Sequence, residues 1–372
     1  MRIEILIYTV TWVICYFIIQ QNYARRLRFL TNSGQNDNIE FAKNKISYAS
    51  MVAVTLLWVL FNAYITSTHP ITGGDRMNYL VNFAGQRETP SLGLSWMIAA
   101  VKAFGGNMNV LFYLTTFICI FMTMLAYKYS VDATPKSMLL LFLTQYGYIT
   151  LTALKQSYTN AFATLALTIL IQKHTKKENY ICLFLILLSC VFHPTGYILM
   201  PLYFVLVANR SKRGITLYAV AIIVIAFFFQ PLMLVLARIL SPIVPSLGTK
   251  IYQYFNEAAS ESGESLSMSF IKGLPIYLIS ILGLIKRKHL VNIIDAYDKY
   301  LIICLTGSFL YLMSIYNDWM YRFIYLFYFP IFVFYSLIIK NLTIKTNRMI
   351  IDPVICVGLA VVLYRFLFIV FR

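Results

Sequence analysis

Apolar residues along this chain do not alternate with polar ones; they run on without interruption. IEILIYTVTWVICYFIIQ fills residues 3–20, ISYASMVAVTLLWVLFNAYIT residues 46–66 and GITLYAVAIIVIAFFFQPLMLVLA residues 214–237. A bilayer-crossing helix needs roughly 20 such residues, whereas a lipid-facing barrel strand would show short alternating segments. Further runs lie near 109–128, 137–153, 157–172, 180–192, 195–208, 269–285, 299–316, 322–339 and 350–370, and the third quoted run centres on 214–236. The expected fold is therefore all-α, a polytopic transmembrane bundle of about twelve spans forming one integral membrane domain over residues 1–372. The short pieces at 180–208 also fit half-helices.

Charge gives this pattern a direction. Charged residues make up only 12% of the 372 positions, while 60% are hydrophobic. An ordinary globular domain carries about twice that charge. Arg25, Arg26 and Arg28 follow the first apolar run, so it reads as a permanent span with its N-terminus outside, not a cleaved leader. The alternate loops 21–45, 128–136, 173–179, 209–213, 286–299 and 340–349 then face the cytoplasm and hold twenty of the 31 Lys and Arg. This is the positive-inside pattern. It accounts for the net charge of +17 through orientation and lipid headgroups, and nucleic acid is not expected as a partner. The six cysteines all lie in apolar runs without metal-ligand spacing and read as packing residues.

The polar residues left outside are few and grouped. The first external segment, 67–108, contains HPITGGDRMNY and then GLSWMIAAVKAF (93–104), too short to span and expected to lie on the outer surface. The 237–268 loop, with Pro242, Pro245 and ESGES, reads as a flap. Asp75 and Arg76, Lys155 and Gln156 in a tight turn, His193 in FHPTG, and Asp318 with Arg322 all fall at outer helix ends. Taken one at a time, these fit a solvated pair, a snorkelling lysine, a helix cap and a boundary ion pair. Their shared side suggests a cavity instead, because charges at membrane depth are expensive and mark substrate paths. A carboxylate or imidazole can take a proton from an attacking hydroxyl, and cationic side chains can hold a diphosphate as it leaves. Glycosyl transfer from a polyprenyl-diphosphate donor suits that set. No Walker loop, dinucleotide fingerprint, HExxH, GxSxG or internal repeat occurs.

The same residues resemble the EpsG/Wzy-type polysaccharide polymerases of bacterial surface glycans. The likeness lies in G-x-D-x-x-x-Y (Gly73, Asp75, Tyr79), an interfacial helix with Pro90 before it, the basic-Gln pair Lys155-Gln156, Phe192-His193, and R-x-x-Y (Arg322, Tyr325). It covers about residues 46–340. Lys155 departs from the family's usual Arg-Gln; lysine keeps the charge but lacks the bidentate fork that matches a phosphate.

What the resemblance implies is a GT-C-like, inverting glycosyltransferase of the bacterial inner membrane, active at the outer leaflet without cofactor or metal. It would move a growing glycan from undecaprenyl diphosphate to the non-reducing end of another lipid-linked repeat unit, with a chain-length regulator as an expected partner. Asp75 or His193 would serve as base, and Arg322, Lys155 and Arg76 would hold the diphosphate. Tyr79, Gln156 and Tyr325 would orient sugar or lipid, and the loop glycines would turn Asp75 and Arg76 into the cavity. Two alternatives stay open: a flippase for the same lipid-linked sugar, and a ligase-like transferase. Near absence of mid-span charge favours the enzyme over the flippase.

Overall fold

The computed structural model describes residues 3–33, 45–68, 75–86, 91–144, 149–150, 152–172, 175–207, 212–242, 245–253, 266–314, 318–341 and 345–370. They form fifteen α-helices and two short 3-10 helices, with no strand among the described residues. In chain order these are α1 (Ile3–Ser33), α2 (Tyr48–Thr68), α3 (Asp75–Phe83), α4 (Leu92–Ala103), α5 (Met108–Tyr129), α6 (Pro135–Phe142), α7 (Leu154–Ile171) and α8 (Lys176–Phe192). A 3-10 turn at Pro194–Ile198 leads into α9 (Leu199–Val207), followed by α10 (Lys212–Leu240), α11 (Pro245–Tyr252), α12 (Leu266–Leu290) and α13 (Tyr297–Met313). A second 3-10 helix, Asp318–Leu326, precedes α14 (Tyr328–Lys340) and α15 (Lys345–Val370). The chain divides into two compact units, Met1–Val207 with Phe332–Arg372, and Ala208–Ile331.

The all-helical expectation holds among the described residues. Three stretches, Ile3–Phe29, Tyr48–Thr68 and Met108–Tyr129, are long and apolar enough to cross a membrane, and the bent α10 makes up to four. Large apolar side chains on α10 lie exposed at Leu217, Val220, Val224, Phe228, Leu232, Val235 and Ile239. Steps of three or four residues put them on one helical stripe, which in water would be a liability and in lipid is at rest. α10 bends by 67° between Ala226 and Phe228. Pro231 lies inside it, and a proline ring displaces the carbonyl four residues back, here Phe227.

In the first unit, α2 runs beside both α1 and α5, and α7 packs between α5 and α8. Trp58 of α2 is buried against Tyr8 and Phe61 in edge-on contacts, and Phe142 leans on it at 5.9 Å between ring centroids. Each such pair contributes about 0.5–1.5 kcal/mol beyond burial. A polar ladder ties α2 to α5: Asn62 Nδ2 donates to Thr116 Oγ1 at 2.5 Å and to the Phe112 carbonyl at 3.3 Å. Thr66 Oγ1 donates to Asn62 Oδ1 at 3.0 Å. Buried amides need such partners because lipid supplies none. At the opposite end of α5, Lys45 is 1% exposed. Its ammonium donates to the carbonyls of Ser130 at 2.5 Å and Ala133 at 2.8 Å and lies 4.4 Å from the Tyr127 ring centroid. Lys128 returns the contact, donating to the Ile46 carbonyl at 2.9 Å. Lys45 is thus a C-terminal cap for α5. Burial pushes its pKa down to about 7, with the Asp132 charge opposing and the Lys128 charge adding to the shift.

In the second unit, α12 and α13 are joined by Ser280 and Ser308 hydroxyls 2.8 Å apart and by Tyr297 donating to the Gly283 carbonyl at 2.6 Å. Arg287 holds Asp298 through two 2.8 Å bonds across the turn between them. Tyr218 of α10 meets Thr306 of α13 at 2.8 Å.

Several boundaries differ from the sequence expectation. α6 stops at Phe142, so 137–153 is not one continuous helix. Lys176–Phe192 begins four residues before the expected 180–192 piece, because the Thr175 capping box with Glu178 starts it early. The 67–108 segment contains the unforeseen α3, and the 237–268 flap contains α11. ESGES and His69 lie outside the described residues.

Candidate functional site

Asp75 opens α3, where a carboxylate complements the helix's unpaired N–H groups. From there Arg76, Tyr79 and Asn82 follow at three-residue steps and form the buried face of α3. Tyr79 enters an apolar cluster with Leu94, Ile98 and Val101 of α4, Met108, Leu111 and Phe112 of α5, and Leu154 of α7. Arg76 is buried, its guanidinium carbon 4.3 Å from the Phe112 ring centroid and its Nη2 donating to Thr66 at 3.2 Å. It thereby continues the ladder of Asn62 and Thr116. The sequence expectation turned Arg76 toward a cavity; the contacts described are with Phe112 and Thr66.

Lys155 and Gln156 stand in the first turn of α7, not in a turn between spans. The Lys155 Nζ lies 6.0 Å from the Tyr79 ring centroid, at the outer reach of a cation–π contact. The first-loop motif and the basic-Gln pair therefore meet. Gln156 is buried, and its Nε2 donates to Asn160 Oδ1, one turn deeper, at 2.7 Å.

His193 joins the same end from α8. It is the C-cap of α8 and the N-cap of the following 3-10 turn, in extended backbone. Pro194 takes the first helical position, where a missing N–H costs nothing. The Thr195 N–H donates to His193 Nδ1 at 3.3 Å, and the Thr195 hydroxyl stands 2.9 Å from the same nitrogen. Thr195 Oγ1 also reaches Gln156 Oε1 at 3.4 Å. Gly196 must be glycine, since a Cβ would come within 2.7 Å of the Ser189 and Cys190 backbone. Just before His193, the Phe192 ring stacks on Tyr158 with centroids 4.4 Å apart. A Cβ on Gly93 of α4 would lie 2.8 Å from that ring. The hydroxyl of Ser91, N-cap of α4, donates to the Phe192 carbonyl at 2.6 Å. The helix α4 is thus fastened to the residue before His193.

Tyr79 thus lies beside Lys155, and Gln156 is linked to His193 through Thr195. Residues 51–372 match the family described as the EpsG family. The chain belongs to the EpsG family. No curated protein and no solved structure matches it. Membership of the EpsG family ties the chain to polysaccharide biosynthesis by a membrane-embedded, polymerase-like glycosyltransferase.

The fourth family element lies in the second unit of this EpsG-family chain. Arg322 is half-buried within the 3-10 helix Asp318–Leu326 and does not open α14 directly. Tyr325 is buried edge-on to Tyr328 at 5.3 Å, and the Tyr328 and Tyr311 hydroxyls meet at 2.7 Å. Gly73 and the side chain of Asp318 lie outside the described residues. Among the described residues, no group of three or more His, Cys, Asp or Glu could hold a metal ion.

Thr195, Asn160, Ser91 and Gly93 were missed by sequence reasoning. Two carried a usable signal: Gln156 and Asn160 share one helical face by their spacing of four, and Thr195 is part of the His-Pro-Thr-Gly cap. Ser91 and Gly93 act through contacts far along the chain, which no local pattern announces.

Proposed function

We propose that the protein is a polysaccharide polymerase of the inner membrane. It would transfer a growing glycan, with inversion, from undecaprenyl diphosphate to the non-reducing end of a lipid-linked repeat unit at the outer leaflet. The acceptor hydroxyl oxygen attacks the anomeric carbon and the glycosyl–phosphate bond breaks. The electron pair leaves with the lipid diphosphate, and the hydroxyl proton passes to Asp75 or His193. Lys155 and Arg76 offer positive charge for the diphosphate, while Arg322 enters on its sequence motif alone. Tyr79, Gln156 and Tyr325 orient sugar or lipid. About twelve spans, a GT-C-like arrangement and a chain-length regulator belong to the same proposal.

One observation carries it: three separate family motifs, Asp75–Tyr79, Lys155-Gln156 and Phe192-His193, are linked within one unit through Tyr79–Lys155 and Thr195–Gln156 contacts. Surface-glycan profiling of a strain lacking the protein tests it. The expected outcome is collapse of a polymer ladder to single-repeat glycan. Loss of all surface glycan, with lipid-linked repeats retained inside, would mean a flippase. Intact polymer left unattached to its lipid core would mean a ligase.

A further inference from the structure

The geometry at His193 points to one of its two candidate roles. Given the glycosyl-transfer function proposed above, we infer that His193 is a fixed hydrogen-bond donor to the departing diphosphate and not the general base. In this assignment Thr195 is the positioning residue that sets its proton.

The inference begins with the one hydrogen whose place is certain. A backbone N–H always donates, and that of Thr195 is aimed at His193 Nδ1 at 3.3 Å. It is one of the donors that the start of a helix leaves without a partner inside the helix, and the His193 side chain caps it. A proton on Nδ1 would set two hydrogens against each other, so Nδ1 must present its lone pair. Turning the ring over would replace that nitrogen by a carbon facing both the Thr195 N–H and its hydroxyl. In a neutral imidazole one nitrogen donates and the other accepts. The proton therefore sits on Nε2.

With Nδ1 already accepting from the backbone N–H, the Thr195 hydroxyl at 2.9 Å must donate to it as well, and its one proton then serves that contact in place of the longer one to Gln156 Oε1 at 3.4 Å. Gln156 is itself held by Asn160, which accepts from its Nε2 at 2.7 Å and so fixes which end of the Gln156 amide faces Thr195. Asn160 and Gln156 are both buried, and water does not compete for them. The backbone N–H of Thr195 is therefore what decides the tautomer, and with Nδ1 accepting from it the ring proton is left on Nε2.

A ring held this way has no basic nitrogen to offer a hydroxyl. Its Nε2 edge offers a donor, and a leaving diphosphate gains the negative charge such a donor serves. The proton of the attacking hydroxyl then falls to the Asp75 carboxylate. Bonds and charges balance: the glycosyl–phosphate bond breaks onto the diphosphate, the new glycosidic bond forms, and Asp75 holds the proton.

Two measurements test the inference. In the 15N-histidine-labelled wild-type protein in nanodiscs, the His193 signals are assigned by their loss in His193→Asn. They should show Nε2 protonated and Nδ1 bare. A protonated Nδ1 would overturn the inference whatever the enzyme does. The second measurement is polymerisation of lipid-linked repeat units by purified variants. His193→Gln can place an amide N–H near the Nε2 position but cannot accept a proton. His193→Asn keeps an N-capping oxygen near Nδ1 and lacks the donor. Gln should retain at least about tenfold more activity than Asn, as expected for one hydrogen bond to a charged group. Equal loss in both, with wild type active, would restore His193 as the base and sink the inference alone. A wild-type protein that elongates no lipid-linked repeat would instead sink the polymerase proposal.

Discussion

Phe192 is clamped between two helices, its ring stacked on Tyr158 at 4.4 Å and facing a position on Gly93 that admits no Cβ closer than 2.8 Å. Moving this ring moves the adjacent His193. Gly93→Ala should therefore lower polymerisation markedly while the protein still folds, since the new methyl meets the ring root and not a flexible tip. Near-normal activity in Gly93→Ala would show that Phe192 has room to yield. Gly93→Ala paired with Phe192→Leu, which thins the ring's place, should recover part of the loss if the clash is the cause.

Lys155 stands over Tyr79 where the family usually has arginine. Lys155→Arg should remain active, since the guanidinium keeps the charge and adds a fork for phosphate. Lys155→Ala should lose on the order of 2 kcal/mol, the value of a hydrogen bond to a charged group, or roughly thirtyfold in kcat/KM. Elongation assays with saturating and limiting lipid-linked donor would separate lost binding from lost turnover.

Asp75→Asn should abolish polymer while the protein still reaches the membrane, because a missing general base costs about a hundred- to ten-thousand-fold. The same assay run in EDTA should proceed at the untreated rate, whereas Arg322→Ala should be inactive. Inactivation by chelation with Arg322→Ala near wild type would contradict a diphosphate held by side-chain cations.

Lys45 supplies a pH test on stability. Its pKa lies near 7 when folded and near 10.4 in an unfolded chain. Between those values the unfolded chain binds more protons, so stability should rise with pH from about 7 toward 10 and be flat below 7. Lys45→Met should remove that slope. Below pH 7, where Lys45 is charged, it should also cost about 1.5–3 kcal/mol, because the Ser130 and Ala133 carbonyls lose a charged donor. Thermal unfolding in nanodiscs at stepped pH would read both effects.

Orientation can be checked independently. Reporters fused after Arg213 or Lys288 should be cytoplasmic and one near Ser262 external, because twenty of the 31 basic residues lie in the loops assigned inside. An external signal at either of the first two positions would invert the assignment of every outer residue discussed above.

Much of the helix order was legible in the sequence, because apolar runs and caps are local signals. Tyr48–Thr68 and Met108–Tyr129 lie close to their expected bounds. The short helix expected at 93–104 appeared within one residue of those bounds, with its C-cap Phe104 93% exposed. What the sequence concealed depends on partners far away. Nothing around Lys45 marks it as a buried cap, since its acceptors Ser130 and Ala133 lie beyond α2 and α5. Nothing around Arg76 announces its contacts with Phe112 and Thr66. For the site, the motif residues Tyr79, Lys155, Gln156 and His193 could be named but not their connections. Thr195 and Asn160, which orient two of them, show only as a cap and a spacing of four.

The contacts of Arg76 also bear on how the protein is made. Arg76 and Asp75 leave the ribosome before Phe112, Lys155 or His193 exist. At about 5–20 residues per second the wait until His193 is on the order of ten seconds. Until α5 and then α7 follow within that interval, α3 lacks the surfaces that bury Tyr79 and Arg76 in the finished protein. A nascent chain halted before α8 thus has the neighbours of the Asp75 motif but lacks His193 and Thr195, and the linked set of motif residues is complete only near the midpoint of synthesis.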